Sequence, residues 1–337
     1  MIKQLGVSAT TPCTHPVMRK ILTDAYPDAR LVDDERITDE ERLIEYLSGC
    51  DAAIVGFEPL TDRVFEALPE LKIISKFGAG CETIDFDALK RHGIRFGYTF
   101  GVNKLSVAEL ALSFMVNALR WVTPLNQAMR AGDRPRYRNG ELLTGRTVGI
   151  HGCGNIGKEV VRLLKPFNCK ILSCDLKDYS EFYIENKITP VSFEELLSQS
   201  EVLTLHLPKT QSTRGLYARQ VLEKMRPEAV LVNTCRGEIV DEEALFFALD
   251  RNTIGGAALD VFENEPLNLQ SPLRGLGDKV LVSPHMVSAN KGASLEPAVP
   301  WAINAAKSAM RGEVPRHVVN EAAIPKFLDR FGGKSLL

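Results

Sequence analysis

Three side chains of complementary chemistry, Arg236, Glu265 and His285, follow a glycine-rich turn, Gly152-Cys153-Gly154-Asn155-Ile156-Gly157. Arginine offers an anion a fixed fork of donors, an imidazole carries a proton, and a carboxylate stabilises the imidazolium and fixes its tautomer. The pattern Gly-x-Gly-x-x-Gly occurs by chance in many loops, so its flanks decide its meaning. Thr147 to Ile150 form a short apolar run suited to a buried strand, and Val160, Val161, Leu163 and Leu164 recur at helical spacing beyond the turn. Without side chains at Gly152 and Gly154 the backbone can approach a pyrophosphate. A helix beginning near Asn155 and Ile156 aims its amides and positive dipole end at the phosphates, while Gly157 permits close helix-to-strand packing.

A second strand pattern, Lys170 to Cys174, ends at Asp175, 18 residues past Gly157. There the dinucleotide-binding unit needs a carboxylate for the ribose hydroxyls. Asp175 would repel a 2′-phosphate, so NAD is expected in preference to NADP, a preference that Lys177 softens.

The elements that must position these groups alternate along the chain as strand and helix, which predicts parallel sheets joined by right-handed crossovers. A first array has strands at Gln4–Ser8, Ala29–Val32, Ala52–Val55, Ile73–Lys76 and Ile94–Phe96, with helices over Val17–Ala25, Glu41–Leu47, Val64–Leu68 and Phe86–His92. The second starts at the glycine turn and continues through Val202–His206, Val230–Asn233, Ala257–Leu259 and Val280–Val282. Between them one long helical pattern, Leu105 to Ala131, should cross between domains and offer a subunit interface. A second crossing after Asn290, with Pro297 to Met310 helical, should return the chain to the first domain. The expected division is residues 1–103 with 291–337 as a substrate-binding domain and 104–290 as a Rossmann domain binding NAD.

At 337 residues, two domains are the prior, and 45% hydrophobic content permits sizeable cores. The net charge of −2 gives no reason to expect nucleic acid or an anionic membrane. No apolar stretch reaches membrane-spanning length and no signal sequence opens the chain, so a cytoplasmic location is expected. Seven cysteines, at 13, 50, 81, 153, 169, 174 and 235, lack paired metal-ligand spacing and read as free thiols. No metal is expected. Cys153 and Cys235 fall in the cofactor loops, where a small filling residue is the commoner role and a reactive thiol the sharper one.

The ordered motifs resemble the D-isomer-specific 2-hydroxyacid dehydrogenases, in particular the phosphoglycerate dehydrogenase-like branch. They run from Glu58-Pro59-Leu60-Thr61 through Gly78-Ala79-Gly80 with Ile84-Asp85, Val107-Ala108-Glu109-Leu110 and His206-Leu207-Pro208. Asn233-Thr234-Cys235-Arg236-Gly237, Val240-Asp241-Glu242, the run Leu259 to Pro266 and Ser283-Pro284-His285 complete them. The resemblance implies two doubly wound parallel-sheet domains, one Rossmann-like and one flavodoxin-like, with a cleft between them. The length leaves no room for the regulatory domains that some phosphoglycerate dehydrogenases add. It implies a homodimer exchanging hydride between NAD and a small 2-keto or 2-hydroxy acid. Arg236 would clamp the substrate, Glu265 would orient His285, and His285 would donate and accept the proton. Gly78, Ala79 and Gly80 would grip the substrate carboxylate opposite Arg236. His206, Leu207, Pro208, Thr213, Thr234, Cys235 and Asp260 would line the cofactor with Arg236 and His285.

Taken singly, Arg236 reads as a surface cation, Glu265 as a loop acid, His285 as a cap, Gly78 to Gly80 as a tight turn and Asp260 as a turn cap. His15, His92, His151 and His317 have no context and read as structural. Gly132 to Arg138 departs from the family, with arginines at 134, 136 and 138. They form a solvated loop or, with Lys104, reach a substrate bearing a second anionic group such as a phosphate. Two rivals remain. One is formate or phosphite oxidation on the same scaffold, against which stand Glu265, where a formate enzyme typically has glutamine, and Ala79, where a phosphite enzyme would supply lysine. The other is an NAD-sensing, corepressor-like binding protein.

Overall fold

The computed structural model describes residues 3–286 except 34, 79, 98–100 and 134–139, together with 299, 300, 302–304, 326 and 329. The chain divides into two compact units, residues 1–103 with 291–337 and residues 104–290.

In the first unit, β1 (Leu5–Val7), β2 (Arg30–Leu31), β3 (Ala52–Val55), β4 (Ile73–Lys76) and β5 (Arg95–Gly97) form a parallel sheet in the order β2-β1-β3-β4-β5. Its helices are α1 (Thr10–Thr14), α2 (Pro16–Ala25), α3 (Glu40–Leu47), α4 (Asp62–Ala67) and α5 (Phe86–His92). Side-chain caps fix where several begin: the Asp39 carboxylate accepts from Arg42 N at the start of α3, and Asp85 from Ala88 N at the start of α5. β3 and β4 are buried along their whole length, as a central parallel strand covered on both faces must be. Val299, Ala302 and Ile303 belong to this core, and Ser75 Oγ donates to Ala302 O at 2.8 Å. Most of the expected helix Pro297 to Met310 lies outside the described residues.

The second unit opens with α6 (Lys104–Arg120) and α7 (Val122–Arg130). Here the expected single helix from 105 to 131 is wrong: the two are bent by 63°. The break falls at Trp121, which adopts the left-handed conformation at φ 57°. Asn117 secures it, accepting from Thr123 N at 2.9 Å and donating to Thr123 Oγ1 at 2.7 Å. Pro124 sits in the first turn of α7, where its missing N–H costs nothing.

Next come β6 (Thr147–His151), α8 (Asn155–Leu164), β7 (Lys170–Cys174), α9 (Ser180–Asn186), β8 (Thr189–Pro190) and α10 (Phe193–Gln199). Then follow β9 (Val202–Leu205), α11 (Arg219–Leu222), β10 (Val230–Asn233), α12 (Glu242–Asp250), β11 (Gly256–Leu259) and β12 (Val280–Val282). The seven described strands run in the order β12-β11-β10-β9-β6-β7-β8, all parallel. The order reverses between β6 and β9, the point at which open parallel sheets hold ligands beyond their carboxyl ends. Among the described residues no single helix is long and apolar enough to cross a membrane.

Candidate active site

The glycine turn leaves β6 beside the end of β9, at that reversal point. Gly152 has φ +93°, and a Cβ on it would stand 2.6 Å from His206 O. Gly157, in the first turn of α8, packs so closely that its Cβ would stand 2.3 Å from Gly152 O. Both glycines are therefore demanded by the protein's own backbone. Gly154 is not: a Cβ there would meet nothing within 4 Å. It caps α8, whose free amides start at Asn155 and Ile156, so its missing side chain suits an anion approaching the helix end. Asp175 follows β7 with both oxygens oriented, Oδ2 accepting from Cys153 N at 2.6 Å and Oδ1 from Lys177 N at 2.8 Å.

His206 follows β9 and is buried; burial pushes its pKa down to about 3, which keeps the ring neutral. Its Nε2 meets Thr204 Oγ1 at 3.0 Å, whereas Nδ1 has no hydrogen-bond partner among the described residues. Thr234 Oγ1, after β10, is equally buried and unpartnered there. Two orphaned buried polar atoms and a cradle that a Cβ would fill fit a dinucleotide with polar groups of its own. Thr213 is engaged locally, its Oγ1 donating to Pro208 O at 2.7 Å, which closes the turn after Leu207. Cys235 is buried and its thiol pushed up to about 11, and burial raises Cys153 as well, so neither is poised as a nucleophile. All seven cysteines are free, and the described residues contain no group of potential metal ligands.

The loop after β10 sets Arg236. Asn233 Nδ2 donates to Arg236 O at 2.9 Å and Asn233 Oδ1 accepts from Cys235 N at 3.1 Å, so one buried amide side chain fixes both neighbours. Gly237 then lies against Phe262, where a Cβ would overlap the backbone carbon at 1.9 Å. Phe262 N donates to Glu265 Oε1 at 3.1 Å, and Glu265 Oε2 meets His285 Nδ1 at 2.6 Å. A continuous set of contacts thus joins the arginine loop, the acid and the imidazole. The pair remains reachable, each side chain being 35% exposed.

His285 itself stands at φ +53°, an uncommon conformation for a residue with a side chain. Asp260 holds it there: His285 N donates to Asp260 O at 2.8 Å, Met286 N donates to Asp260 Oδ1 at 2.9 Å, and Ser283 Oγ donates to the same oxygen. These contacts make Asp260 an anchor of the histidine loop, the turn-capping role its position also permitted.

In the first unit Gly78, at φ +92°, and Gly80 follow β4, while Ala79 lies outside the described residues. Arg134, Arg136 and Arg138 also lie outside them. Lys104 Nζ donates to Glu159 Oε1 at 2.6 Å. Sequence reasoning passed over Lys76, and it gave His151 a structural reading. His151, just before Gly152, is buried with Nδ1 2.7 Å from Tyr217 Oη, and burial lowers its pKa to about 4. Lys76, which ends the otherwise uncharged strand β4, is 3% exposed; a charge closing such a run was the available signal.

Residues 112–287 match the family model described as the D-isomer specific 2-hydroxyacid dehydrogenase, NAD binding domain. A glyoxylate reductase of Korarchaeum cryptofilum is 34% identical over 86% of this chain and 89% of its own length. A D-3-phosphoglycerate dehydrogenase of Methanocaldococcus jannaschii is also 34% identical, over 85% of this chain and 55% of its own. The solved glyoxylate reductase of Paecilomyes thermophila superposes with a TM-score of 0.81 at 28% identity, covering 94% of this chain and 98% of that one. With the glycine turn, the acid after β7 and the acid–imidazole pair all in place, the chain belongs to the D-isomer-specific 2-hydroxyacid dehydrogenase family of NAD-binding enzymes.

Proposed function

We propose that the protein interconverts a 2-keto acid and the corresponding D-2-hydroxy acid, with NAD preferred over NADP. The observation that carries this reading is the 2.6 Å contact between Glu265 and His285 Nδ1, on a loop that Asp260 fixes. With Nδ1 turned to the carboxylate, Nε2 is the ring atom that gives its proton to the carbonyl oxygen during reduction and takes it back during oxidation. Glu265 stabilises the imidazolium and holds its orientation. Arg236 binds the carboxylate and the reacting oxygen through its donor fork. The backbone amides around Gly78 and Gly80 are further donors for a carboxylate. NAD, when bound by the turn at Gly152 to Gly157 and by Asp175, supplies or accepts the hydride at C2.

The test is NADH oxidation by the purified protein with glyoxylate, hydroxypyruvate, pyruvate and oxaloacetate, followed by chiral analysis of the product. Turnover giving the D-isomer is expected where the product is chiral. NADH binding without turnover of any 2-keto acid would refute the reading and leave an NAD-sensing binding protein.

We also infer a homodimer assembled through α7. This helix has no buried residue, leaves Val122 and Met129 53% and 64% exposed, and borders a groove of about 770 Å³ that reaches β12. The free thiols suit a reducing, cytoplasmic setting.

A further inference from the structure

Beneath the glycine turn lies a buried polar pair that the mechanism above does not use. β6 ends at His151, the residue before Gly152, and its ring Nδ1 stands 2.7 Å from Tyr217 Oη. Tyr217 is fully buried and His151 is 9% exposed. Phe193 closes the group, its ring centroid 4.9 Å from that of His151 and 6.0 Å from that of Tyr217. Burial pushes the imidazole's pKa down to about 4 and the phenol's up, so both rings are neutral. The phenol has no other acceptor among the described residues, so it donates to Nδ1.

Each partner belongs to a different loop of the site. On one side, His151 O accepts from His206 N at 2.9 Å and Gly152 N donates to Cys174 O at 3.0 Å, which fixes the strand ends from which the turn springs. On the other, Tyr217 is stitched to the segment after Arg236: its N donates to Ile239 O at 3.0 Å, its O accepts from Asp241 N at 3.3 Å, and Gly215 N donates to Glu238 O at 2.8 Å. Ile239 N in turn donates to Arg236 O at 3.4 Å. The Tyr217 side chain therefore bridges the base of the cofactor turn to the backbone that carries the arginine.

Stability does not account for the pair. Replacing both members of a buried hydrogen bond by apolar groups of similar shape is nearly neutral to a fold, and phenylalanine at both positions would continue the aromatic packing around Phe193. A hydrogen bond adds a fixed distance and direction, which packed rings do not impose. We infer that the His151–Tyr217 hydrogen bond is a positioning strut that sets the glycine turn and the Arg236 loop relative to one another, so that cofactor and substrate are received in register. The substrate half rests on the 2-keto acid reading given above; the cofactor half does not.

The experiment measures three quantities for each variant: urea stability without cofactor, Kd for NADH by fluorescence, and KM at saturating NADH for the best of the four 2-keto acids named above. Tyr217→Phe and His151→Phe should each raise both binding constants by about 10-fold, the worth of one hydrogen bond. The double variant is decisive. It should be about as stable as wild type, having no orphaned polar group, and still bind NADH as weakly as the single variants. His151→Gln, which keeps an acceptor opposite the phenol, should recover part of what His151→Phe loses. Tyr46→Phe, which removes a phenol bonded to Arg30 O at 2.8 Å in the first unit, should lower stability and leave both constants alone. A double variant with wild-type NADH affinity, weakening that multiplies when the two substitutions are combined, or a rise in only one constant overturns the inference. If Tyr217→Phe does not fold, equal constants in His151→Gln and His151→Phe overturn it. If the wild type reduces no 2-keto acid, the reaction reading has failed and hydrogen exchange replaces KM. NADH should then slow amide exchange at residues 237–241 in wild type and less so in the double variant; equal slowing in both, or none in wild type, overturns the strut.

Discussion

The second and third glycines of the turn should separate cofactor binding from folding. Gly154 has φ −71° and ψ −153°, an extended conformation open to other residues, and its Cβ would point into space that no protein atom occupies within 4 Å. Gly154→Ala should therefore fold as well as wild type, or gain about 0.4–1 kcal/mol from a less flexible unfolded chain. The same methyl would stand between the pyrophosphate and the amides of α8. Losing one charge-assisted contact costs about 1.5–3 kcal/mol, roughly a 10- to 150-fold rise in the Kd for NADH. Gly157→Ala differs in kind: its Cβ would be 2.3 Å from Gly152 O, so helix and turn must part. That overpacking should cost about 1–3 kcal/mol in the cofactor-free protein and disturb NADH binding as a consequence. Urea unfolding of both cofactor-free variants, with NADH fluorescence titrations, supplies the four numbers needed. Wild-type NADH affinity in Gly154→Ala, or equal destabilisation of the two variants, would refute the division of labour.

Three further outcomes are expected. His285→Ala should lower kcat by roughly two to four orders of magnitude, while Arg236→Ala should also raise KM; near-normal steady-state turnover by both would end the assignment. Asp175→Ala should narrow the preference for NADH over NADPH, and a wild type whose kcat/KM is higher for NADPH would contradict the role given to Asp175. His151 titrates near 4 in the fold against an ordinary 6.5. The unfolded chain thus takes up a proton that the folded one refuses, so stability is full above pH 6.5 and declines as the pH falls toward 4, by about 1.4 kcal/mol per pH unit. His151→Gln, which keeps a polar partner for Tyr217, should flatten that decline by one proton; identical slopes of urea stability against pH in the two proteins would count against it.

Much of the cofactor unit was legible because its signals are local. A buried strand, a glycine turn, an amphipathic helix and a terminal acid follow one another within some thirty residues, and each has its own periodicity or residue type. The strands Ala52–Val55, Ile73–Lys76, Lys170–Cys174, Val230–Asn233 and Val280–Val282 stand where their apolar runs do. Illegible features depend on contacts between distant segments or on a conformation that residue type does not announce. Trp121 carries no helix-breaking character, and only the paired hydrogen bonds from Asn117 to Thr123 reveal why the long helix divides there. The strand before Asp260 points to a cofactor-facing role, but its hold on the histidine loop is invisible to spacing, since Oδ1 accepts from Ser283 Oγ and Met286 N, 23 and 26 residues away. Glu265 and His285 are 20 residues apart, and without the family resemblance nothing in their spacing predicts contact.

The geometry also separates residues that the fold requires from residues that it tolerates, and the second group marks the chemistry. Gly152, Gly157 and Gly237 are glycine because protein backbone already occupies the position of a Cβ, and Asn233 and Asp260 are polar because neighbouring amides need acceptors. Each has a complete explanation within the chain. Gly154 has none, since a side chain would fit; nor do His206 Nδ1 and Thr234 Oγ1, buried polar atoms for which the described residues provide no partner. His285 has only half of one, because Glu265 accounts for Nδ1 and nothing in the fold calls for a proton-bearing ring in a left-handed loop. Burial opposes stability at His206 and Thr234, and a left-handed backbone opposes it at His285, so the proposed function explains them by ligands: a dinucleotide for Gly154, His206 and Thr234, and an anionic keto acid for His285.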